Sequence, residues 1–305
     1  MAKTEIHRIY KEPVFIVGMP RSGTTLLQAI LCNSGVYFPL PETHFFSRVT
    51  YGLPSRNFSA EDRQQIRRVL INKARIELDK EFPYQLRSKK EIFEHLIGVY
   101  NANKKKTFLE KTPRHVFFYS EILEYYPDAK FISMIREPKN VVSSILKIPT
   151  KRKKSVITVA LLYNKISNAI LNIRPNNNVL VIKYEDLTDQ TNIAVRTICE
   201  FLNVPYNSKL VDSVAAPSEI VSVHEVWKNR NVDLHNIQRN DPDRWQKTLN
   251  KSQANMVNFI TKSYASQFGY LSDNRLPAVC LGMMQDLPKL LSKGELRRAF
   301  SRVHG

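Results

Sequence analysis

The sequence predicts an α/β fold: a P-loop-type doubly wound parallel sheet flanked by helices, with a helical lobe and a C-terminal amphipathic tail. Three observations carry that prediction. Val14-Phe15-Ile16-Val17 is a short apolar run rich in β-branched and aromatic residues, which suits a parallel strand covered on both faces. A glycine-bounded loop follows, Gly18-Met19-Pro20-Arg21-Ser22-Gly23, and then apolar residues at 26, 27, 30 and 31 in helical period. Further along, short apolar strands alternate with helical stretches, the pattern of a parallel sheet that binds ligands at the carboxyl ends of its strands.

The loop is the centre of the chemistry. Backbone N–H groups at a helix start have no internal acceptor and point at an anion. In a nucleotide triphosphatase the second glycine is followed by Lys and then Ser or Thr, which serve the β/γ-phosphates and magnesium. Here Thr24 stands in the lysine's place and the cation has moved into the loop as Arg21, behind Pro20. Arg21, Ser22, Gly23, Thr24 and Thr25 together form an anion cradle without the usual tool for a γ-phosphate.

Downstream, Val36 to Pro41 is a short extended segment, and Glu42 follows it at a turn leading into a helix, where an acid also complements a helix N-terminus. Residues 53–59 read as loop; Ala60 to Leu78 and Lys89 to Tyr100 read as amphipathic helices of a lobe at about 53–105. Thr107 to Lys111 is a strand ended by Thr112-Pro113, with a helix to about Tyr126. Ala129 to Ile135 is the next strand, then Arg136-Glu137-Pro138 and a helix, with Pro138 at a first-turn position where its missing N–H costs nothing. Ser155 to Ile173 is a long helix; Asn178 to Lys183 is a strand leading into Tyr184-Glu185-Asp186-Leu187 and a helix to Leu202. Arg21, Lys111 and Arg136 each stand just after a predicted strand, so three cations share one sheet edge. Asp243-Arg244-Trp245 precedes a last core helix at about 251–268. Two stretches stay open: 205–240 as a cover over the site, and the basic loop Lys147 to Lys154 as a solvated charge run or as a gate or handle for an acidic acceptor.

Composition bounds the rest. With 305 residues, the chain is expected to form one domain over 1–275 and a basic tail over 276–305, which reads either as a docked helix or as an anchor giving peripheral membrane contact. Net charge is +18 and the pI about 9.8, implying an acidic partner. No nucleic acid is expected, for want of a recognisable module. Cys32, Cys199 and Cys280 lie far apart, fit neither a metal spacing nor a disulfide framework, and read as small hydrophobes in a reducing compartment. Met1 to Lys11 is polar, and no later segment is expected to be long enough and free enough of charge to span a bilayer; the expectation is cytoplasmic.

Two separated motifs resemble the sulfotransferases that use 3′-phosphoadenosine 5′-phosphosulfate (PAPS). Pro20-Arg21-Ser22-Gly23-Thr24-Thr25-Leu26 is similar to that family's 5′-phosphosulfate loop, and Phe131 to Pro138 with Val141-Val142-Ser143-Ser144 to its 3′-phosphate strand and helix. Lys111-Thr112-Pro113 and Val181 to Leu187 extend the likeness. The resemblance implies that Arg136 and Ser144 read the 3′-phosphate, that Tyr184 lies near the donor, that PAP is the product, and that no metal is required. It is closest to the tyrosyl-protein and carbohydrate branches, whose general base is a glutamate some twenty residues after the loop, the place of Glu42; the histidine used by the small-molecule branch is replaced here by Pro113. His115 and His44 are rival bases, Arg21 and Lys111 would stabilise the leaving phosphate, and Arg244 corresponds to a late donor-side lysine.

The expected reaction moves a sulfuryl group from PAPS to a hydroxyl, or an amine, of a glycan, glycolipid or small metabolite, with an acidic or membrane-associated acceptor suiting the basic surface. The alternatives are a P-loop kinase or nucleotide phosphatase, and a non-catalytic anion- or membrane-binding protein.

Overall fold

The computed structural model describes residues 12–53, 57–69, 88–100, 106–149, 154–212 and 240–270. Five strands, β1 (Val14–Gly18), β2 (Tyr37–Pro39), β3 (Thr107–Lys111), β4 (Lys130–Ile135) and β5 (Val179–Lys183), form one sheet in the order β2-β3-β1-β4-β5. Every pairing is parallel, with Val14 opposite Leu109 on one side and Lys130 on the other. Connections leaving β1 run towards β2 and β3, and those leaving β4 run towards β5, so the order reverses beside β1, the place where open α/β sheets bind ligands beyond the strand ends.

Alternation along β1 divides the core. Val14 and Ile16 pack with α1 (Thr24–Cys32) and α8 (Thr191–Leu202). Phe15 and Val17 face the other layer, which holds α3 (Lys89–Tyr100), α5 (Pro138–Leu146), α6 (Val156–Ile173) and α9 (Lys251–Gln267). Phe15 stacks on Phe131 at 5.4 Å and meets Phe108 edge-on at 5.6 Å, the offset and perpendicular geometries that aromatic quadrupoles favour. The helix starts are written in the sequence: Glu137 accepts from the Asn140 N–H ahead of Pro138, Ser155 from Thr158, and Asn250 with Gln253 forms a capping box.

Several boundaries differ from the sequence reading, each for a local reason. β2 is only three residues long and lies at the sheet edge, where Pro39 is tolerated. After β3 the chain makes a 3-10 turn, Pro113–Phe118, before α4 (Tyr119–Tyr125). The helix after β5 is broken at Gln190 into α7 (Tyr184–Asp189) and α8. In the expected lobe, α2 (Ala60–Val69) and α3 are described, and α3 drives Phe93 against Phe15 and Phe108 of the sheet. The second half of the helix expected to reach Leu78, the possible cover at 213–239, most of the basic loop, Cys280 and the tail lie outside the described residues.

One expectation is corrected. α6 is 18 residues of mean hydropathy 1.3, so by length and composition it can cross a membrane. Its apolarity is spent instead on the core, where Val159, Tyr163, Ile166 and Ile170 are buried.

Candidate active site

Both loop glycines are dictated by what stands against them. Gly18 has φ +109°, and a Cβ there would lie 2.5 Å from the Met134 carbonyl oxygen of β4. The Met19 N–H donates to that same carbonyl at 2.7 Å, holding the loop against β4 as it leaves β1. Gly23 has φ +80°, and a Cβ would come within 2.6 Å of the Tyr184 ring. Between them Arg21 adopts φ +71°, uncommon for a side-chain-bearing residue. Thr24 and Thr25 begin α1, whose first N–H groups have no intrahelical acceptor.

The Ser22 side chain is fully buried and its hydroxyl donates to the Met19 carbonyl, closing the loop on itself.

Arg21, Arg136, Ser144 and Tyr184 are brought together. Arg21 Nε donates to Ser144 Oγ at 2.9 Å, and Arg136 Nη1 donates to the Arg21 carbonyl at 3.1 Å. The Arg136 guanidinium lies 3.9 Å from the Tyr184 ring centroid, a cation–π contact. Its backbone is fixed as well: its carbonyl accepts from the Tyr163 hydroxyl at 3.2 Å, and the next N–H, of Glu137, donates to Glu185 at 3.0 Å. Burial, helped by Arg244, pushes the Arg136 pKa down against the opposing pull of Tyr184, Glu185 and Glu137, and its Nε is buried with no hydrogen-bond partner. A phosphate there would supply the missing acceptor. Arg244 sits exposed on a 3-10 turn, Arg244–Lys247, docked on α5 by Asn140 Nδ2 donating to the Pro242 carbonyl at 3.1 Å and by Lys139 over the Trp245 ring at 4.8 Å.

The other half of the site is an ion pair. Lys111, 2% exposed at the end of β3, donates from Nζ to Glu42 Oε2 at 2.8 Å. Burial raises the Glu42 pKa, but the Lys111 charge and hydrogen bond, His44 and Arg48 bring it below the ordinary carboxylate value. His44 Nε2 stands 3.4 Å from Glu42 Oε1, and burial pushes His44 itself down to about 4. At neutral pH His44 is therefore uncharged, and Lys111, with Arg48, is what holds the buried Glu42 carboxylate in its ionised form. The other rival base, His115, is a core residue: fully buried, its Nδ1 lies 2.9 Å from Glu110 Oε2.

The fold and this arrangement of cations bear directly on kinship. Residues 13–208 match the model of the sulfotransferase family. The chain belongs to the sulfotransferase family. Its fold is similar to that of the sulfotransferase domain from the Synechococcus PCC 7002 olefin synthase, with 20% identity, TM-score 0.59, and 87% of this chain and 98% of that one covered. The sulfotransferase domain from the curacin biosynthetic pathway is similar at 19% identity and TM-score 0.55, over 86% and 99% of the two chains. Sulfotransferase STF9 from Mycobacterium avium follows at 14% identity and TM-score 0.52, over 90% and 81%. An uncharacterized protein of Aquifex aeolicus (strain VF5) is 21% identical over 249 residues, 78% of this chain; the chain spans 31% of that relative's length.

In this member of the family one residue escaped the sequence reading. Glu110, the fourth residue of β3, is fully buried and accepts hydrogen bonds from Thr43 and Thr112 as well as facing His115. The available signal was an acid inside a strand otherwise fit for a core, immediately before a lysine.

Proposed function

We propose that the chain transfers a sulfuryl group from PAPS to a hydroxyl of an acceptor, with PAP as the second product. The observation that carries this reading is the Arg136–Arg21 contact: the cation after β4 reaches the loop after β1, so two anion-binding positions border one crevice, and the Lys111–Glu42 pair stands at the end of the neighbouring strand. Arg136, with its orphaned Nε, suits the ribose 3′-phosphate. Arg21, the N–H groups opening α1, and Thr24 and Thr25 suit the phosphosulfate. Tyr184 and Arg244 border the donor, and the proposal calls for no metal.

Sulfuryl transfer passes through a loose in-line transition state in which positioning and charge stabilisation matter most, as in phosphoryl transfer. Glu42, ionised at neutral pH, accepts the proton from the acceptor oxygen as that oxygen bonds to sulfur. Arg21 and Lys111 take up the negative charge that grows on the bridging oxygen and departing phosphate as the S–O bond breaks. Removing one such donor costs ~10²–10³ in rate.

For the acceptor we propose an acidic molecule, of the glycan, glycolipid or small-metabolite kind. Arg48 stands near Glu42 and His44, and Arg114 stands near Arg48, so two guanidinium groups share this side of the site with one carboxylate. An acceptor carrying its own carboxylate, sulfate or phosphate would balance them.

Titration calorimetry with PAP and with ATP–Mg²⁺, followed by incubation with radiolabelled PAPS and a panel of acidic and neutral glycans, tests the proposal. Tight PAP binding and label transfer are expected; preference for ATP–Mg²⁺ overturns it.

A further inference from the structure

Glu110 is the hub of a closed hydrogen-bond network that the chemistry above does not use. Its Oε1 accepts from the Thr43 hydroxyl at 2.8 Å and from the Thr112 hydroxyl at 2.6 Å. Its Oε2 faces His115 Nδ1 at 2.9 Å. Each of these partners then accepts a backbone N–H from the segment after Glu42. Thr112 Oγ1 takes that of His44 at 3.2 Å, Thr43 Oγ1 that of Phe45 at 3.2 Å, and His115 Nε2 that of Phe46 at 3.3 Å. Three consecutive amides at the start of the π-helical turn Phe45–Val49 are thus held by side chains that converge on one carboxylate. Because Nε2 accepts, the ring is the Nδ1–H tautomer and donates to Glu110.

From this geometry we infer that Glu110 is a positioning residue: through Thr43, Thr112 and His115 it sets the distance between Glu42 and Lys111. The two members of that pair are chain neighbours of network members, Glu42 of Thr43 and Lys111 of Glu110 and Thr112. The inference rests on Glu42 being the base only for its effect on rate; its effect on Glu42 itself stands apart from that reading.

Glu110→Gln keeps the shape and an acceptor for both threonines. Its amide, however, sets donor against donor at His115 Nδ1–H. The ring must then change tautomer, and Nε2–H confronts the Phe46 N–H, which loosens the Glu42 segment.

The charged and titratable groups near Glu42 are Lys111 from β3, His44 from its own segment and Arg48 from the π-helical turn, with Glu110, His115 and Arg114 beyond them. These make the direction of a pH shift diagnostic. A loosened Lys111 contact moves the Glu42 titration, and with it the acid limb of the kcat profile, to higher pH. Simple loss of the Glu110 charge, with positions unchanged, moves both to lower pH.

The test measures kcat against pH, PAP affinity by calorimetry, and the Glu42 carboxyl titration by ¹³C NMR with PAP bound, assigned with Glu42→Gln. For Glu110→Gln we expect kcat lower by about 10²-fold, unchanged PAP affinity, and both titrations moved upward; an unmoved or downward titration overturns the inference. If Glu110→Gln does not fold, Thr43→Val and Thr43→Ser decide. Valine moves the Glu42 titration upward and serine restores it, while identical titrations in both variants and wild type overturn the inference. Should Glu42→Gln retain full turnover, the base assignment fails while the NMR titration still decides the role of Glu110.

Discussion

Arg21 and Ser144, 123 positions apart, meet through a 2.9 Å hydrogen bond from the guanidinium Nε to the hydroxyl. The loop after β1 and the helix after β4 are thereby one device. A hydrogen bond to a charged group contributes about 1.5–3 kcal/mol, or roughly 10–150-fold. Ser144→Ala is expected to lower the melting temperature and to weaken PAP binding by up to that factor in calorimetry. Wild-type affinity in the variant would show that the bond has no part in holding the donor.

Tyr184 supports Arg136 with its ring face at 3.9 Å. Tyr184→Leu removes a cation–π contact of about 0.5–2 kcal/mol, so PAP affinity should fall by up to about 30-fold. Tyr184→Phe, which keeps the face, should bind like wild type; comparing the two Kd values separates the ring from its hydroxyl.

Gly23→Ala sets a methyl 2.6 Å from the same ring at φ +80°. The conformation alone costs roughly 1–2 kcal/mol, and the ring must move away from the loop. We expect a lowered Tm and a larger loss of PAP binding than in Ser144→Ala. An undiminished Kd would mean that the loop tolerates displacement of Tyr184.

Lys111→Met leaves burial as the dominant influence on Glu42, and burial raises its pKa. The acid limb of the rate profile should therefore move to higher pH, alongside a drop of ~10²–10³ in kcat from the lost charge stabilisation. A kcat profile from pH 4 to 9, within the range where carboxylates and histidines titrate, reads both effects.

Acid should also weaken the fold. Burial raises the Glu110 pKa, but His115 and the hydroxyl hydrogen bonds outweigh it, so Glu110, like Glu42, is held below its ordinary value. A depressed carboxylate stabilises the folded chain fully above the unfolded pKa and loses that contribution as pH falls through the folded pKa. Glu137, raised by burial, works in the opposite sense. Melting curves should show Tm falling below the ordinary carboxylate range, less steeply in Glu110→Gln; equal slopes would remove Glu110 from the account.

The strands and their order of appearance were legible because a parallel strand buried on both faces announces itself as an apolar run, as Val14 to Val17 and Phe131 to Ile135 do. Arg21 and Arg136 were legible for a related reason: polar residues placed just beyond such runs come to one sheet edge. What stayed hidden depended on the partner across space. Nothing local tells that the Ser22 hydroxyl turns inward to Met19, or that His115 is locked to Glu110. α6 was read as a helix, but its fitness by length and composition to cross a bilayer was passed over, since a helix buried against the sheet and a helix for a bilayer share one composition.

The column formed by Arg136 on Tyr184, Tyr184 against Gly23, and Arg136 on the Arg21 carbonyl has a bearing on ligand discovery. On the proposed donor placement, fragments that occupy only the adenosine side or only the sulfate side lean on shared side chains. Their affinities should not sum when the fragments are joined, so a useful inhibitor will come from optimising the tether between the halves rather than from ranking each half alone.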